Sequence, residues 1–376
     1  MFFLTTIKNY IKFLRIPYIL KEFVFYSESK YYRNFFSDLI YKLTVDNNKK
    51  IIFLTSDIDD LDFFKKNKNI HVLFIGKGFI RSILFATLKC KFMIMTLTDL
   101  DNNLKKSINC KKYVYFFHSA ASTHVVYTEE AFKNYDIIFC NGNYQIEEIK
   151  KTENIYKFKK KELVKTGYFY LDYILKNSNL NKKIDNTILF APSWNYNSKN
   201  LFDEYSYKII DILLKDGFKV ILRPHPEHFK RSNKVISKIS KSFIKNSNFI
   251  LDKKESNLSS MEKSELLITD NSLIAVEYSL VFQRSTLYVN YTDKIHNKNF
   301  MDIQSQPLEK DFKKKFGIEI NISDIDNISQ FCEETIKNKK ILDEDIIDFK
   351  SKNFYNLGNS SSFAANYLIK YSENLN

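Results

Sequence analysis

The sequence predicts an α/β protein built from two doubly wound, Rossmann-like domains. Three observations predict it: short continuous apolar runs recur along the chain, helical patterns separate them, and one polar stretch divides the series in two. Apolar runs that are each followed by a turn and a helix are typical of parallel strands buried on both faces. The length of 376 residues also suits two domains of ordinary size.

The chain begins with a segment that predicts a basic amphipathic helix. Apolar side chains recur at helical spacing over residues 2–16, and Lys8, Lys12 and Arg15 add positive charge. Two interpretations are open: the helix lies on an anionic membrane surface, or it packs against the body of the protein. The charges and the lack of a small-residue cleavage site argue against a signal peptide. No apolar run in the sequence reaches the roughly 18–20 residues that span a bilayer.

The first domain is predicted over residues 1–175. Its strands are expected at 22–26, 51–55, 71–75, 92–96, 113–117 and 137–140. Helical patterns lie between several of these strands, at 32–43 and 79–88. The regular alternation predicts a parallel sheet with helices on both faces.

The second domain is predicted over residues 176–376, after a polar linker at 175–186. Its strands are expected at 187–190, 219–222, 249–251, 266–269 and 286–289, and its helices around 205–214 and 272–280. A last helical pattern at 361–371 can pack back against either domain. Two consecutive series of this kind predict two domains that face one another across a cleft.

Charge and cysteine usage narrow the classes of partner. Lys and Arg number 58 against 44 Asp and Glu, which gives a net charge of +14 and indicates anionic partners. A general bias of the sequence towards Lys, Asn, Ile and Phe would also explain the positive net charge, without an anionic partner. Basic residues are spread everywhere rather than interleaved with aromatic residues on one face, so no nucleic-acid partner is expected. The four cysteines are isolated, which indicates neither zinc nor disulfides and suits the cytoplasm.

Polar residues that follow strands are the candidates for a ligand site, because open parallel sheets bind ligands outside the carboxyl ends of their strands. A guanidinium group suits phosphate oxygens, free backbone N–H groups at a helix start bind anions, and a carboxylate accepts hydrogen bonds from a ribose. In the second domain the candidates are Ser193, Trp194, Arg223, His225, Asp270, Asn271, Ser272 and Glu277. Without a ligand, Asn271 or Ser272 would simply cap the helix that follows.

The first domain offers a candidate base. His118 follows the strand predicted at 113–117 and precedes small residues, which is where a general base would have room for a substrate. Four further polar residues are predicted to line the acceptor side: Ser27, Glu28, Thr123 and His124.

Metal chemistry is not expected. The acidic turns that contain Asp57, Asp59 and Asp60, or Asp99 and Asp101, are more typical of solvated strand ends than of cation sites. The sequence also lacks a glycine-rich phosphate loop. We therefore expect neither a metal ion nor another cofactor.

The order of the motifs resembles a known family. They run from His118 through Asn134-Tyr135-Asp136, Thr166-Gly167-Tyr168, Asp172, Ile188–Trp194 (ILFAPSW), Arg223–Pro226 (RPHP) and Ile268–Leu280 (ITDNSLIAVEYSL). This series resembles the CDP-glycerol glycerophosphotransferases, the teichoic-acid and capsule polymerases with a GT-B architecture. The resemblance extends from about Tyr113 to Asn290, roughly half of the chain.

The resemblance implies a function and roles for the residues. It implies transfer of a polyol phosphate from a CDP-activated donor to a lipid-linked or glycan acceptor, with release of CMP. The expected location is the cytoplasm, and a peripheral position on the inner face of the cytoplasmic membrane is the open interpretation of residues 2–16. His118 would deprotonate the acceptor hydroxyl, and Arg223 and His225 would hold the diphosphate of the donor. Asp270, Asn271 and Ser272 would lie at its phosphate end, and Glu277 would bind the ribose.

Three other functions stay open at this point. A GT-B glycosyltransferase that uses a nucleotide sugar has a similar His-Pro pair. A non-catalytic module would bind a nucleotide or an anionic polymer without forming a product. A nucleotide-sugar epimerase of similar two-domain shape would need no acceptor.

Overall fold

A computed structural model describes residues 2–98, 100–102, 104–180, 184, 186–196, 199–338 and 343–375. The chain forms two compact units. The first contains Met1–Ser119, Tyr127–Tyr173 and Asn353–Asn376, and the second contains Ala120–Val126 and Ile174–Lys352. The predicted fold class, two doubly wound parallel α/β domains of the GT-B type, is confirmed at the level of the two domain folds.

The first unit is built on a seven-stranded parallel sheet with the order β3-β2-β1-β4-β5-β6-β7. Its strands are β1 (Phe23–Ser27), β2 (Ile51–Thr55), β3 (Ile70–Phe74), β4 (Cys90–Met95), β5 (Cys110–Phe116), β6 (Ile137–Cys140) and β7 (Glu162–Lys165). Strands β1 and β2 are buried along their whole length, as continuous apolar runs in a parallel sheet require.

The second unit is built on a six-stranded parallel sheet with the order β10-β9-β8-β11-β12-β13. Its strands are β8 (Thr187–Phe190), β9 (Lys219–Leu222), β10 (Phe249–Leu251), β11 (Leu266–Thr269), β12 (Thr286–Asn290) and β13 (Gly317–Asn321). Every predicted strand of both units is present, and β7 and β13 are strands that the sequence analysis missed.

Helices connect the strands of both sheets. The α-helices are α1 (Phe2–Arg15), α2 (Arg33–Tyr41), α3 (Asp60–Phe63), α4 (Phe79–Thr87), α5 (Thr123–Val126), α6 (Asn143–Ile155), α7 (Phe169–Asn177), α8 (Leu201–Lys215), α9 (Pro226–Arg231), α10 (Asn233–Phe243), α11 (Leu258–Lys263), α12 (Ile274–Phe282), α13 (Leu308–Phe316), α14 (Ile328–Lys337), α15 (Asp343–Asn353) and α16 (Ser360–Glu373). Short 3₁₀ or π segments cover Tyr18–Lys21, Lys42–Asp46, Phe300–Ile303 and Ile322–Asn327. None of the described helices is both long and apolar enough to cross a membrane.

The helix α1 packs with one face and exposes the other. Phe13 is buried, and the Asn9 amide donates a hydrogen bond of 2.9 Å to the backbone carbonyl of Phe74. The opposite face leaves Leu4 and Ile11 exposed beside its basic residues. The interpretation of this helix as packed on the protein is therefore correct for one of its faces.

The C-terminal helix α16 packs against the first sheet. The Asp172 carboxylate accepts hydrogen bonds from the backbone N–H groups of Gly358 at 2.7 Å and Ser360 at 2.8 Å. Gly167 has a left-handed φ of +98°, and a Cβ there would overlap the Tyr355 carbonyl and the Ser360 side chain. The Thr-Gly-Tyr and Asp172 motifs thus anchor the end of the chain to the first unit.

Candidate functional site

The strand order of the second sheet places a ligand crevice between β8 and β11. The chain proceeds outwards from β8 to β10, returns, and then proceeds outwards in the other direction from β11 to β13. The connections on either side of such a reversal leave an open crevice at the carboxyl ends of the two central strands. The loops after β8 and β11 carry Ser193, Trp194 and Asp270–Ser272, which the sequence analysis selected.

Ser193 and Asp270 join these two loops directly. The backbone N–H of Ser193 donates to one carboxylate oxygen of Asp270 at 2.7 Å, and its hydroxyl donates to the other at 2.8 Å. Both residues are buried. Hydrogen bonds to a carboxylate are stronger than those between neutral groups, so this pair holds the loops after β8 and β11 in place at the base of the crevice.

His228 is a buried histidine behind the same loop, and the sequence analysis gave it no role. Its Nε2 contacts the Ser193 carbonyl at 3.2 Å, and its ring stacks on Phe202 with centroids 4.1 Å apart. Burial lowers the pKa of His228 to about 4, so the ring is neutral near pH 7. When Nε2 carries the proton, the neutral ring donates a hydrogen bond to the Ser193 carbonyl and thereby stabilises the Ser193 loop.

His225 lies at the start of α9, after β9. Its Nδ1 accepts a hydrogen bond of 3.2 Å from the backbone N–H of Glu227, and Pro226 follows at the first helical position. Because Nδ1 accepts, the proton of the neutral ring is carried by Nε2. The side chain is half-buried, and the predicted contact of His225 with a diphosphate stays a prediction.

Arg223 braces a neighbouring loop. Its guanidinium forms an ion pair with Asp252 and donates to the backbone carbonyls of Glu255 at 3.1 Å and Ser256 at 3.3 Å. The Asp252 carboxylate also accepts a hydrogen bond from Ser260. These internal contacts use much of the donor capacity of Arg223, and its predicted role in holding the diphosphate stays a prediction.

The other second-domain candidates lie near α12. The prediction that Asn271 or Ser272 caps this helix through its side chain is wrong, because the N-cap residue is Leu273 and no side chain caps the helix. The Asn271 amide instead donates to the Thr292 carbonyl at 2.8 Å. Glu277 lies in the first turn of α12 and is buried.

Trp194 belongs to an aromatic group beside the crevice. Its ring is 8% exposed and makes edge contacts with His228 at 4.9 Å and with Tyr196 at 5.8 Å. The indole Nε1 is buried and has no hydrogen-bond partner among the described residues. An unsatisfied buried donor is costly, and it marks a place where a ligand atom would be stabilised.

The first sheet reverses direction between β1 and β4, so its crevice lies after these two strands. Ser27 is the last residue of β1 and Glu28 follows it, so both lie at this carboxyl end of the strand. Ser27 is buried, and its hydroxyl donates to the Ser29 carbonyl at 2.8 Å, so its side chain stabilises the turn. The sequence analysis missed Arg81, which donates to the Tyr26 hydroxyl at 3.0 Å.

His118 is half-buried after β5 and is held by aromatic rings. Tyr32 and Phe35 make edge contacts with its ring, with centroids 5.2 Å and 5.9 Å away. The Tyr168 hydroxyl donates to the backbone carbonyl of His118 at 3.4 Å. These contacts fix the orientation of the ring, which a general base needs.

The four predicted acceptor-side residues belong to different units. Thr123 and His124 belong to the second unit, whereas Ser27 and Glu28 belong to the first. His124 is buried, and its Nε2 contacts the Ser305 carbonyl at 3.1 Å. This burial gives His124 a packing role, and the acceptor role of all four residues stays a prediction.

Carboxylates in the acidic turn after β2 form ion pairs with basic side chains of the protein. Asp59 forms an ion pair with Lys30 at 2.7 Å, and the buried Asp60 forms one with Arg33 at 3.2 Å. Asp99 lies outside the described residues. In the described ranges, no three His, Cys, Asp or Glu side chains form a group that could hold a metal ion.

Comparison with solved structures identifies the fold. The wall teichoic acid polymerase TagF is 15% identical and has a TM-score of 0.63, over 99% of this chain and 94% of that one. The fold is that of TagF. A histidine-to-asparagine variant of TagF soaked with CDPG matches equally well, at a TM-score of 0.64, 14% identity and the same coverage. The resemblance expected from the motifs is thus confirmed for the fold.

The same fold occurs in a second class of enzyme. The structure of MnaA from S. aureus with UDP has a TM-score of 0.58 and 14% identity, over 95% of this chain and 98% of that one. No protein-family model matches the chain. In sequence, 210 residues are 28% identical to the RING finger protein PFE0100w of Plasmodium falciparum, over 53% of this chain but only 16% of that protein. A match to so small a part of that relative assigns no activity.

Proposed function

We propose that this chain is a transferase that moves a polyol phosphate from a CDP-activated donor to a hydroxyl group of a glycan or lipid-linked acceptor. The observation that carries the proposal is the crevice between β8 and β11, where the Ser193–Asp270 pair fixes the loops at the reversal of the second sheet. Nucleotides bind at such reversals in doubly wound sheets. The structure of TagF soaked with CDPG supports this choice of donor.

The proposed reaction is a displacement at phosphorus. The acceptor oxygen attacks the donor phosphorus that bears the polyol, the bond to the bridging oxygen of the diphosphate breaks, and CMP leaves. His118 takes the proton of the attacking hydroxyl. Positioned bases of this kind contribute about 10²–10⁴-fold to a rate.

The second unit would hold the donor. The Nε2–H of His225 and the backbone N–H groups before α12 would donate to phosphate oxygens. Glu277 would accept hydrogen bonds from the ribose. No metal ion is required in this proposal, since N–H donors and basic side chains would neutralise the charge.

The second candidate is a glycosyltransferase that uses a nucleotide sugar for surface polysaccharide synthesis. The observation behind it is the UDP in the structure of MnaA, which has a similar fold and supports a uridine nucleotide in place of a cytidine nucleotide. In this alternative the crevice of the second unit would hold a nucleotide sugar, and His118 would still act on an acceptor hydroxyl.

The deciding experiment measures CMP and UMP/UDP release from CDP-glycerol, CDP-ribitol, CMP-sialic acid and UDP-sugars, with and without a teichoic or capsule-type acceptor extract. Acceptor-dependent CMP release from a CDP-polyol supports the phosphotransferase. Release from a nucleotide sugar alone supports the glycosyltransferase. Conversion of a UDP-sugar without acceptor indicates an epimerase, and binding without product indicates a non-catalytic module.

The matched test for the mechanism uses His118→Gln, which retains a polar side chain but cannot take a proton at neutral pH. We expect turnover to fall by roughly 100-fold or more, with unchanged affinity for the donor. The control is His71→Gln, a histidine on β3, which should retain full turnover. Turnover near the wild-type level in His118→Gln would remove His118 from the mechanism.

A further inference from the structure

The loop that follows β12 is held in the crevice of the second unit, and the sequence analysis gave it no function. The Asn271 amide donates to the Thr292 carbonyl at 2.8 Å, and the Asn195 amide donates to the Asp293 carbonyl at 2.9 Å. The two donors come from the loops after β11 and β8. The next residue, Lys294, is therefore fixed beside the reversal point of the sheet.

Lys294 is a half-buried lysine whose ammonium group has no partner among the residues that the structure describes. Among the described residues, no hydrogen-bond acceptor or carboxylate lies within bonding distance of its ammonium group. The nearest carboxylates that influence it, Asp270 and Glu309, are bound elsewhere, to Ser193 and to the backbone N–H of Ser122 at 3.1 Å. Burial lowers the pKa of Lys294, because desolvation disfavours the charged ammonium group.

Two more unsatisfied polar atoms belong to residues of the second unit that are linked by aromatic contacts. The buried Nε1 of Trp194 and the Nε2 of His296 have no hydrogen-bond partner among the described residues. The Tyr196 ring connects them, with edge contacts of 5.8 Å to Trp194 and 5.6 Å to His296. Burial lowers the pKa of His296, and the charge of Lys294 lowers it further. In the described part of the second unit, an ammonium, an indole N–H and an imidazole nitrogen thus lack partners.

We propose that the ammonium of Lys294, together with the Nε1–H of Trp194, forms an anion site that takes the phosphate groups of a nucleoside diphosphate. The inference rests on the proposed function, because it assigns a contact to the donor crevice. It adds a residue of the loop after β12 to the candidate donor-binding residues in the loops after β8, β9 and β11. The ammonium would supply the positive charge that Arg223 directs towards Asp252.

A structural role for Lys294 makes the opposite prediction for stability. If its ammonium stabilised the fold through an ion pair, removal of the charge would destabilise the protein. If the ammonium instead binds an anionic ligand, replacement by the similarly shaped and uncharged Met removes an unpaired cation from a half-buried position. The ligand-free protein should then be as stable as before or more stable. Residues kept for function in this way commonly lower stability.

The experiment measures binding of CDP and of cytidine to the full chain by calorimetry, together with urea unfolding. The variants are Lys294→Met, Lys294→Arg and the control Lys298→Met, which changes an exposed lysine of the same segment. We expect Lys294→Met to lower the affinity for CDP at least tenfold and to leave cytidine binding unchanged. The variant should unfold at the same urea concentration as the wild type or at a higher one. Lys294→Arg should retain part of the CDP affinity, and Lys298→Met all of it.

The outcomes separate this inference from the proposed function. CDP affinity at the wild-type level in Lys294→Met, while the wild type binds CDP, would overturn the role of Lys294 and leave the proposed function standing. A wild type that binds neither CDP nor cytidine would overturn both. If Lys294→Met unfolds at a lower urea concentration than the wild type, Lys294 is a structural residue and the inference is wrong.

Discussion

Ser193 and Asp270 form a two-point connection between the central loops of the second sheet. The backbone N–H and the hydroxyl of Ser193 donate to the two carboxylate oxygens of Asp270, at 2.7 Å and 2.8 Å. Strands β8 and β11 are adjacent in the sheet, although residues 191–265 separate them in the chain. The pair therefore holds together two loops that the chain itself does not join closely.

We expect Asp270→Asn to weaken both the fold and nucleotide binding. The amide offers one oxygen instead of two, so one buried donor of Ser193 loses its acceptor, at a cost of about 1–3 kcal/mol in the free energy of unfolding. Urea unfolding and CDP titration measure the two effects. Ser193→Ala is the matched variant, since it removes only the hydroxyl and should cost less than Asp270→Asn. Stability and CDP affinity of Asp270→Asn equal to those of the wild type would contradict the assigned role.

We expect Arg223→Met to destabilise the protein even without a ligand. The guanidinium is mostly buried against Asp252, and breaking a buried ion pair costs about 3–5 kcal/mol. Arg223→Lys should recover part of this loss, because a lysine can reach the carboxylate but cannot serve two carbonyls in a planar fork. Urea unfolding of the ligand-free protein measures the effect.

The control for Arg223 is Arg231→Met, which removes an exposed guanidinium paired with Glu227. Its effect on stability should be small, because exposed ion pairs contribute about 0–1 kcal/mol. If Arg223→Met keeps wild-type stability but loses CDP binding, Arg223 contacts the donor as the sequence analysis expected, and the bracing role is wrong.

The sequence predicted the central strands and missed one edge strand in each sheet. The missed strands, Glu162–Lys165 and Gly317–Asn321, border solvent and carry polar residues, so neither forms a continuous apolar run. Apolar runs reveal strands that are buried on both faces, and edge strands need less burial. The positions of Ser193, Asp270 and His225 at strand ends followed from the same runs.

The contacts of the candidate residues could not be predicted in the same way. Arg223 pairs with backbone carbonyls of Glu255 and Ser256, which any residue type would offer, so no motif marks them. Lys294 stands in a polar segment that is typical of a solvated loop, and only the fold shows that its ammonium lacks a partner. The placement of residues 120–126 in the second unit likewise depends on packing far along the chain.

We expect acid to destabilise the protein through His228. Burial lowers its pKa from 6.5 to about 4, so between these pH values the unfolded chain binds a proton that the folded protein does not. The free energy of unfolding should therefore fall as the pH drops from about 6.5 to about 4, by about 3 kcal/mol from this group. Urea unfolding at a series of pH values measures the slope.

The variant that isolates this effect is His228→Gln. It should be less stable than the wild type near pH 7.5, because it loses the stacking on Phe202, and its stability should depend less on pH in the acid range. His225→Gln is the control, and it should keep the wild-type slope since His228 is still present. A slope unchanged in His228→Gln would show that other groups cause the loss of stability.

We expect the exposed face of α1 to bind anionic membranes. Leu4 is 72% exposed and Ile11 is 41% exposed, and Lys8 and Lys12 lie on the same helical face. Apolar side chains next to basic ones suit the interface of an anionic bilayer, where each basic residue contributes about 1 kcal/mol. The double variant Leu4→Asp/Ile11→Asp should lower binding to phosphatidylglycerol vesicles at least tenfold, measured by co-sedimentation at low salt. Ile108→Asp, which changes a 96% exposed residue elsewhere in the first unit, should not. Equal binding by the double variant and the wild type would leave α1 with its packing role alone.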